Sequence, residues 1–346
     1  MIGICRARIN CLIAGVLAFT AVSVCRADGP YHFLKEIPVG GKGGWDYLSI
    51  DDAARRLYVT HASKIVVIDL DQDAVVGEIP DTPGVHGFAI APDLHRGFSS
   101  NGKEDTSSLV DLNKLVSLSK ANTGPNPDAI VYEPGRQEVY AFNGRGQSAT
   151  VFDAKAGSVV TNIALPGKPE FAVADPKAGR VYCNIEDKSV VVAIDTGTHQ
   201  VTNTWPIAPG AEASGMAIDL ANHRLFIGCH NKVMVMMDSA TGKVITTVPI
   251  GEGVDANAFD PATGFAFSSC GDGTVTVAHE DAPGKLTVVQ TLTTEPHART
   301  MALDPKTHRL YLATAKFEPL PPRTADAPHP RPKVIPGTFK VLVYGM

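Results

Sequence analysis

The chain has 346 residues, of which 44% are hydrophobic and 19% are charged, and its formal net charge at pH 7 is -5. This length could hold two ordinary domains, but a repeat architecture of the same length closes as one domain. An acidic chain without a cluster of Lys and Arg is a poor candidate for nucleic-acid binding, because that affinity depends on basic side chains meeting phosphates.

Residues 1–27 have the pattern of a secretory signal peptide. Arg6 and Arg8 form a positively charged n-region, and the apolar stretch from Cys11 to Val24 is short for a bilayer span. Cleavage after Ala27 would make the mature chain periplasmic or secreted, without a transmembrane segment; an uncleaved membrane anchor is the alternative. Cleavage removes three Arg and no acid, so the net charge changes from -5 to -8 (-5 minus 3).

Three cysteines remain after this cleavage: Cys183, Cys229 and Cys270. An odd number rules out a complete set of internal disulfides. Cys229 and Cys270 occupy the same position of adjacent repeats, so either a bridge between them or buried thiols would fit the pattern. The spacing offers no CxxCH motif for covalent haem.

The stretch Pro169–Gly210 shows the repeating unit of the chain. Four runs rich in Val, Ile, Tyr and Thr are separated by turn signals such as Asp175-Pro176 and Asp195-Thr196-Gly197. No run has the length and 3.6-residue period of a helix. Each unit is therefore predicted to be a four-stranded antiparallel meander.

The unit recurs seven times. The aromatic residue of the second strand recurs in steps of 40, 42, 42, 44, 41 and 44, at Tyr58, Phe98, Tyr140, Tyr182, Phe226, Phe267 and Tyr311. The Asp that closes the third strand recurs in the same way, at Asp69, Asp111, Asp153, Asp195 and Asp238. Periods of about 40–45 residues with four strands per unit are typical of propellers. The sequence predicts an all-β, seven-bladed β-propeller as a single domain over residues 28–346.

Two segments depart from the repeat. Tyr31–Val39 resembles the fourth strand of a blade, whereas the last blade lacks a fourth strand. We expect the N-terminal strand to complete that blade, because ring closure removes exposed sheet edges. The proline-rich segment 316–338 interrupts blade 7; it is either a plain surface insertion or a functional loop over the same face as the site below.

The repeats carry a family signature. Tyr58-Val59-Thr60-His61 is followed by Ile65-Val66-Val67-Ile68-Asp69, and 238–244 and 304–311 have the same character. The chain resembles the YVTN-repeat, YncE-like family, whose consensus has Asn after Tyr-Val-Thr. That position varies here: His61, Asn101, Asn143, Ile185, Cys229, Cys270 and Thr314. The resemblance, which covers residues 31–346, implies a secreted or periplasmic WD40/YVTN-like propeller with a binding or scaffold role. Links to nucleic-acid binding have been suggested within that family, and lactonase-type and haem d1-type propellers are more distant catalytic relatives.

A polar position precedes each second-strand aromatic by twelve residues. Its seven members are all polar, and four are carboxylates: Asp46, His86, Asp128, Glu170, Ser214, Asp255 and Arg299. Strand geometry predicts that they surround one mouth of the central channel. His297, two residues before Arg299, and His61, at the end of a second strand, are expected to face the same mouth. Trp45 could line the mouth or pack in the core, and His230 is interpreted as an ordinary turn residue.

Four carboxylates around one opening repel each other unless a cation compensates. The candidate metal ligands are Asp46, His86, Asp128, Glu170, Asp255 and His297; oxygen ligands suit calcium, and the histidines would suit a transition metal. The alternative is a solvated, merely polar mouth. No haem, pyrroloquinoline quinone or nucleotide motif is present. The favoured function is a monomeric propeller that binds a small ligand or a protein, and the alternative is a metal-dependent hydrolase or lyase of the lactonase type.

Overall fold

The computed structural model describes Met1, residues 29–321 and residues 332–346. The predicted signal peptide, apart from Met1, and the middle of the proline-rich loop lie outside the described residues. None of the helical segments in the described part has the length and apolarity of a membrane span.

Strands dominate the described residues, and two single-turn 3₁₀ helices, Pro92–Leu94 and Glu186–Lys188, interrupt them. Blade 1 consists of β2 (Trp45–Asp51), β3 (Arg56–His61), β4 (Lys64–Asp69) and β5 (Ala74–Ile79). Blade 2 consists of β6 (Val85–Ala91), β7 (Arg96–Asn101), β8 (Thr106–Asp111) and β9 (Val116–Asn122). Blade 3 consists of β10 (Pro127–Glu133), β11 (Glu138–Asn143), β12 (Ser148–Asp153) and β13 (Val159–Ala164). Blade 4 consists of β14 (Pro169–Asp175), β15 (Arg180–Ile185), β16 (Val190–Asp195) and β17 (Gln200–Pro206). Blade 5 consists of β18 (Ala213–Asp219), β19 (Arg224–Cys229), β20 (Val233–Asp238) and β21 (Val244–Pro249). Blade 6 consists of β22 (Val254–Asp260), β23 (Phe265–Cys270), β24 (Thr274–Ala282) and β25 (Lys285–Thr293).

Blade 7 closes the ring with a strand from each end of the described chain. Its sheet has the order β1 (His32–Pro38), β28 (Lys340–Gly345), β27 (Arg309–Thr314) and β26 (Thr300–Asp304). β1 and β28 pair antiparallel from His32 opposite Gly345 to Pro38 opposite Lys340. The predicted seven-bladed propeller of four-stranded antiparallel blades is confirmed, and the closure by β1 agrees with it.

The periodic residues of the sequence have clear structural roles. The seven second-strand aromatics are all between 0% and 1% exposed and fill the space between blades. The repeated Asp at the end of the third strand in blades 1 to 5 accepts backbone hydrogen bonds in the turn that follows, as Asp69 does from the amides of Asp71 and Gln72. Short polar side chains that bond the backbone two or three residues ahead stabilise such turns. Spacing and turn chemistry therefore specify the blade together.

Cys183, Cys229 and Cys270 are free and fully buried. The disulfide alternative for Cys229 and Cys270 is therefore not the arrangement found here. Burial raises the pKa of both of these thiols to about 12, so they remain protonated at neutral pH.

Candidate functional site

A β-bulge lies near the start of six of the seven innermost strands. In β2, Trp45 pairs with His61 and Leu48 pairs with Val59, so three steps on β2 oppose two steps on β3. The innermost strands of blades 2 to 6 show the same extra residue, beginning after Val85, Pro127, Pro169, Ala213 and Val254. Bulges bend a strand and redirect a side chain, and they are common beside functional sites.

The predicted polar position lies in these bulges. We call the seven residues Asp46, His86, Asp128, Glu170, Ser214, Asp255 and Arg299 the mouth ring. The first six are the second residues of their strands, and Arg299 directly precedes β26. Ser214 is 2% exposed and therefore contributes little to the solvent-accessible surface of the mouth.

Blades 1 to 3 bring three of these residues into one group, the Asp46–His86–Asp128 cluster. One nitrogen or oxygen atom of each lies within 4.8 Å of the others. His86 Nδ1 is 2.6 Å from Asp46 Oδ2 and 3.7 Å from Asp128 Oδ1. Two carboxylates therefore share a single imidazole. All three side chains are partly accessible to solvent.

The pKa values of this cluster are strongly shifted. Burial raises the pKa of Asp128 to about 8, and the charge of Asp46 adds to the effect, whereas His86 opposes it. Burial lowers the pKa of His86, but the hydrogen bond to Asp46 and the charges of Asp128 and Asp46 outweigh it, so that the pKa rises to about 9. The cluster therefore holds protons at neutral pH that a bound cation would displace.

Blades 4 to 6 present the same ring position, but here the carboxylates contact cationic side chains. We call Glu170 and Asp255, with their partners Lys168 and Arg299, the paired half. Lys168 Nζ is 3.0 Å from Glu170 Oε2, and Arg299 Nε is 3.2 Å from Asp255 Oδ2. Burial raises the pKa of Asp255 to about 7, whereas Arg299 lowers it. Burial likewise raises the pKa of Glu170, with Lys168 opposing the shift. Each ring carboxylate of this half has its own cationic side chain.

Glu186 and His230 extend the paired half. His230 Nε2 is 3.5 Å from Glu186 Oε1, and Lys168 Nζ also contacts Glu186 Oε2. The hydrogen bond from His230 lowers the pKa of Glu186 to about 2, against the effect of burial and with help from Lys168. The interpretation of His230 as an ordinary turn residue missed this pairing.

Tyr47 crosses the channel next to the mouth ring. Its hydroxyl lies 3.3 Å from the backbone oxygen of Glu170, and its ring packs on Phe171 at 5.3 Å, three blades away. Burial raises its pKa well above the usual value, and the charges of Asp128 and Glu170 add to the shift. Tyr47 therefore stays protonated and offers a hydroxyl close to the ring carboxylates.

Two predicted site residues lie apart from the ring. His61 is 1% exposed and packs on Phe339 at a centroid distance of 4.4 Å, so the structure does not bring it to the mouth surface. Burial lowers its pKa. His297 is exposed and packs on Phe317 at 4.3 Å. The described residues that could jointly hold a metal include neither histidine.

The residue that reaches the mouth from the second strand is one position beyond the column containing His61. In that next column only Glu186 and His230 are large; the others are Ala62, Gly102, Gly144, Gly271 and Ala315. Steric contact explains the glycine at position 102, because a Cβ there would lie 2.7 Å from His86 Nε2. The contrast between two large polar residues and five small ones is the sequence signal that could have found Glu186 and His230.

The fold and the ring define a seven-bladed β-propeller with a charged channel mouth. No protein-family model matches the chain. It is 26% identical over 148 residues to "Uncharacterized protein YncE" from Salmonella typhi and, equally, from Salmonella typhimurium. Each match covers 41% of this chain and 42% of the relative, so the chain spans about two fifths of the length of these relatives.

A solved structure of Kuenenia stuttgartiensis hydrazine synthase is similar with a TM-score of 0.71 and 15% identity, over 78% of this chain and 92% of that one. At that identity the likeness shows the fold alone. The partial YncE matches and the seven-bladed fold together support a YncE-like propeller family for this chain.

Proposed function

We propose that this chain is a binding propeller that holds a divalent transition-metal ion at its channel mouth, through Asp46, His86 and Asp128. One observation carries the proposal: three potential ligand atoms from three different blades lie within 4.8 Å of one another. These residues are far apart in sequence, and each is delivered by the bulge at the start of its own strand.

The donor set favours a transition metal over calcium. Calcium prefers six to eight oxygen ligands, whereas one imidazole with two carboxylates suits zinc, manganese or a similar ion. The metal would replace the proton that Asp46 and His86 now share. It would also displace the proton that Asp128 holds at neutral pH, and its charge would allow Asp46 and Asp128 to be ionised side by side.

The biological role that best fits this site is ligand binding by a secreted or periplasmic scaffold. The pattern of residues 1–27 supports that location. A metal with three protein ligands keeps free coordination positions, and these could bind an oxygen or nitrogen atom of a small molecule or of a partner protein.

The test begins with elemental analysis of the untagged mature chain, purified without chelator. We expect close to one equivalent of a transition metal. After removal by a chelator, zinc and manganese are titrated calorimetrically into the native chain and into Asp128→Asn. A chain that has no metal as purified and takes up neither ion would contradict the proposal.

A second candidate function is metal-assisted hydrolysis or elimination. It is favoured by the number of ligands, since three protein ligands with an open position are typical of catalytic zinc sites. A metal ion there would act as a Lewis acid. A panel of lactones and esters should then show turnover that the metal restores and that Asp128→Asn abolishes. Metal binding without turnover would leave the binding function alone.

A further inference from the structure

A second recess lies beside the mouth ring, between blades 6, 7 and 1. It has a volume of about 930 Å³, and its lining includes Trp45, His297, Arg299, Phe317 and Lys333. This size is within the range of sites for small organic ligands. We call it the aromatic cleft. None of the three residues of the Asp46–His86–Asp128 cluster lines it.

One wall of the aromatic cleft consists of three contacting rings, with Phe317 tilted by 51° to Trp45 and by 49° to His297. Phe317 lies between Trp45 and His297, at centroid distances of 5.9 Å and 4.3 Å. Trp45 is supported from behind by Phe339 at 5.0 Å, with the two rings nearly parallel. Tilted rings of this kind offer faces and edges to the aromatic ring of a ligand, because aromatic rings pack in offset or edge-to-face arrangements.

Backbone makes up another part of the cleft lining. Four glycines line it: Gly43, Gly44, Gly253 and Gly271. Gly43 has φ +99°, and a Cβ there would lie 2.7 Å from the Cβ of Ala62. A side chain at this position is therefore excluded both by the conformation and by the contact. The four glycines leave this part of the cleft free of side chains.

The free hydrogen-bond donors of the cleft favour an anion. Arg299 contacts Asp255 through Nε, and no described residue accepts a hydrogen bond from its two terminal nitrogens. The acids of the lining are already engaged: Asp272 accepts from the Glu252 amide and from the Thr274 hydroxyl, and Glu252 pairs with Lys232. A guanidinium with free terminal nitrogens is well suited to binding a carboxylate.

We propose that the aromatic cleft binds a planar aromatic carboxylate, with its ring against Trp45 and Phe317 and its carboxylate on Arg299. The cleft and the metal cluster are separate sites.

The test is calorimetric titration of the full mature chain with cinnamate. Cinnamyl alcohol has the same ring without the charge, cyclohexylpropionate has the charge without the ring, and benzyltrimethylammonium has the opposite charge. We expect cinnamate to bind with a submillimolar dissociation constant. The two comparators without a carboxylate should bind at least about tenfold more weakly, because loss of a charged hydrogen bond costs at least that much. Cyclohexylpropionate should bind about fivefold more weakly, because it lacks the aromatic ring. Preferential binding of the ammonium ion, or no binding of cinnamate, would overturn the proposal.

Variants assign the contacts. Arg299→Met should weaken cinnamate binding about tenfold or more, whereas Arg145→Met, at an exposed Arg of the β11–β12 turn, should leave it unchanged. Phe317→Leu should weaken it about fivefold; this residue is only partly buried, so the change avoids the packing of Trp45 on Phe339. Equal affinities for the native chain and both cleft variants would overturn the site.

Asp128→Asn separates this proposal from the metal site. We expect this variant to bind cinnamate as the native chain does, because Asp128 does not line the aromatic cleft. Loss of cinnamate binding in this variant, with the fold retained, would show that the ligand occupies the mouth ring and would refute a separate cleft site.

Discussion

Blades 1 to 3 and blades 4 to 6 present the same repeat position to the channel mouth, yet they balance its charge differently. In the paired half, Glu170 contacts Lys168 and Asp255 contacts Arg299. In the Asp46–His86–Asp128 cluster, two carboxylates depend on one imidazole. An acidic ring alone is therefore a weak indication of a metal site. The informative feature is the part of the ring that lacks its own cations.

The largest expected effect distinguishes the two halves directly. Asp128→Asn should weaken metal binding by at least about 100-fold, since it removes a ligand and even supporting residues can cost that much. Asp255→Asn, the matched change in the paired half, should weaken it by less than about tenfold. Calorimetric titration with zinc measures both. Equal losses in the two variants would mean that the whole ring shares the cation.

The pH dependence of binding is the second test of the cluster. The raised pKa values of His86, about 9, and Asp128, about 8, mean that both groups hold protons at pH 7, which a metal must displace. The affinity should therefore rise between about pH 6 and pH 9, with release of up to about two protons per ion.

Titration in buffers of different ionisation enthalpy counts these protons. Asp128→Asn removes one titrating group and should lower the number released by about one. An affinity that is constant over this pH range would contradict the shared-proton description of the cluster.

Gly102 tests the position of His86 without touching a ligand. A Cβ at Gly102 would lie 2.7 Å from His86 Nε2, so Gly102→Ala should displace the ring and weaken zinc binding by about tenfold. Gly144 occupies the same column in blade 3, and a Cβ there makes only an ordinary contact, 3.5 Å from Asn126. Gly144→Ala should therefore bind as the native chain does. A normal affinity in Gly102→Ala would show that the orientation of His86 is unimportant.

The smallest effect concerns the paired half, which should contribute to stability. The pKa of Glu186 is lowered from 4.5 to about 2, chiefly by His230 and Lys168 against burial. A lowered carboxyl pKa stabilises the fold above the unfolded value and loses this contribution as the pH falls from about 4.5 to 2.

Glu186→Gln should therefore lower the free energy of unfolding by about 1 kcal/mol at pH 7, because solvent screening reduces the effect of such partly exposed pairs. The difference should shrink as the pH falls below 4.5 and nearly vanish only below about pH 2. Glu252→Gln, which breaks an exposed pair with Lys232, serves as the control and should change little. Chemical denaturation at pH 7 and at about pH 2 measures the free energy of unfolding of each variant. An Asp46→Asn variant with a larger pH-dependent loss would reverse the roles assigned to the two halves.

The fold was predictable because its determinants are local and periodic. Every blade repeats an aromatic that packs between blades, and blades 1 to 5 also repeat an Asp that bonds the following turn; both recur at the propeller period. The terminal strand β1 was recognisable because it resembles the fourth strand of the other blades while the last blade lacks one. Such regularities require only counting along the chain.

The site was only partly predictable, because its geometry depends on bulges and on long-range pairs. Counting twelve residues back from each aromatic locates the ring position, but it does not reveal the extra residue that redirects Asp46 and its equivalents. His61 was assigned to the mouth by its column, whereas the chain turns one residue later. The contact of His230 with Glu186 joins adjacent blades through residues 44 apart (230 minus 186), and only a comparison of this column across all seven repeats could have found it.

The most direct test of the central claim is a crystal structure of the zinc-loaded chain with anomalous data collected on either side of the metal edge. We predict one strong anomalous peak between Asp46 Oδ2, His86 Nδ1 and Asp128 Oδ1, and none beside Glu170 or Asp255. A crystal grown at saturating zinc with no peak in the Asp46–His86–Asp128 cluster, or with its main peak in the paired half, would contradict the account.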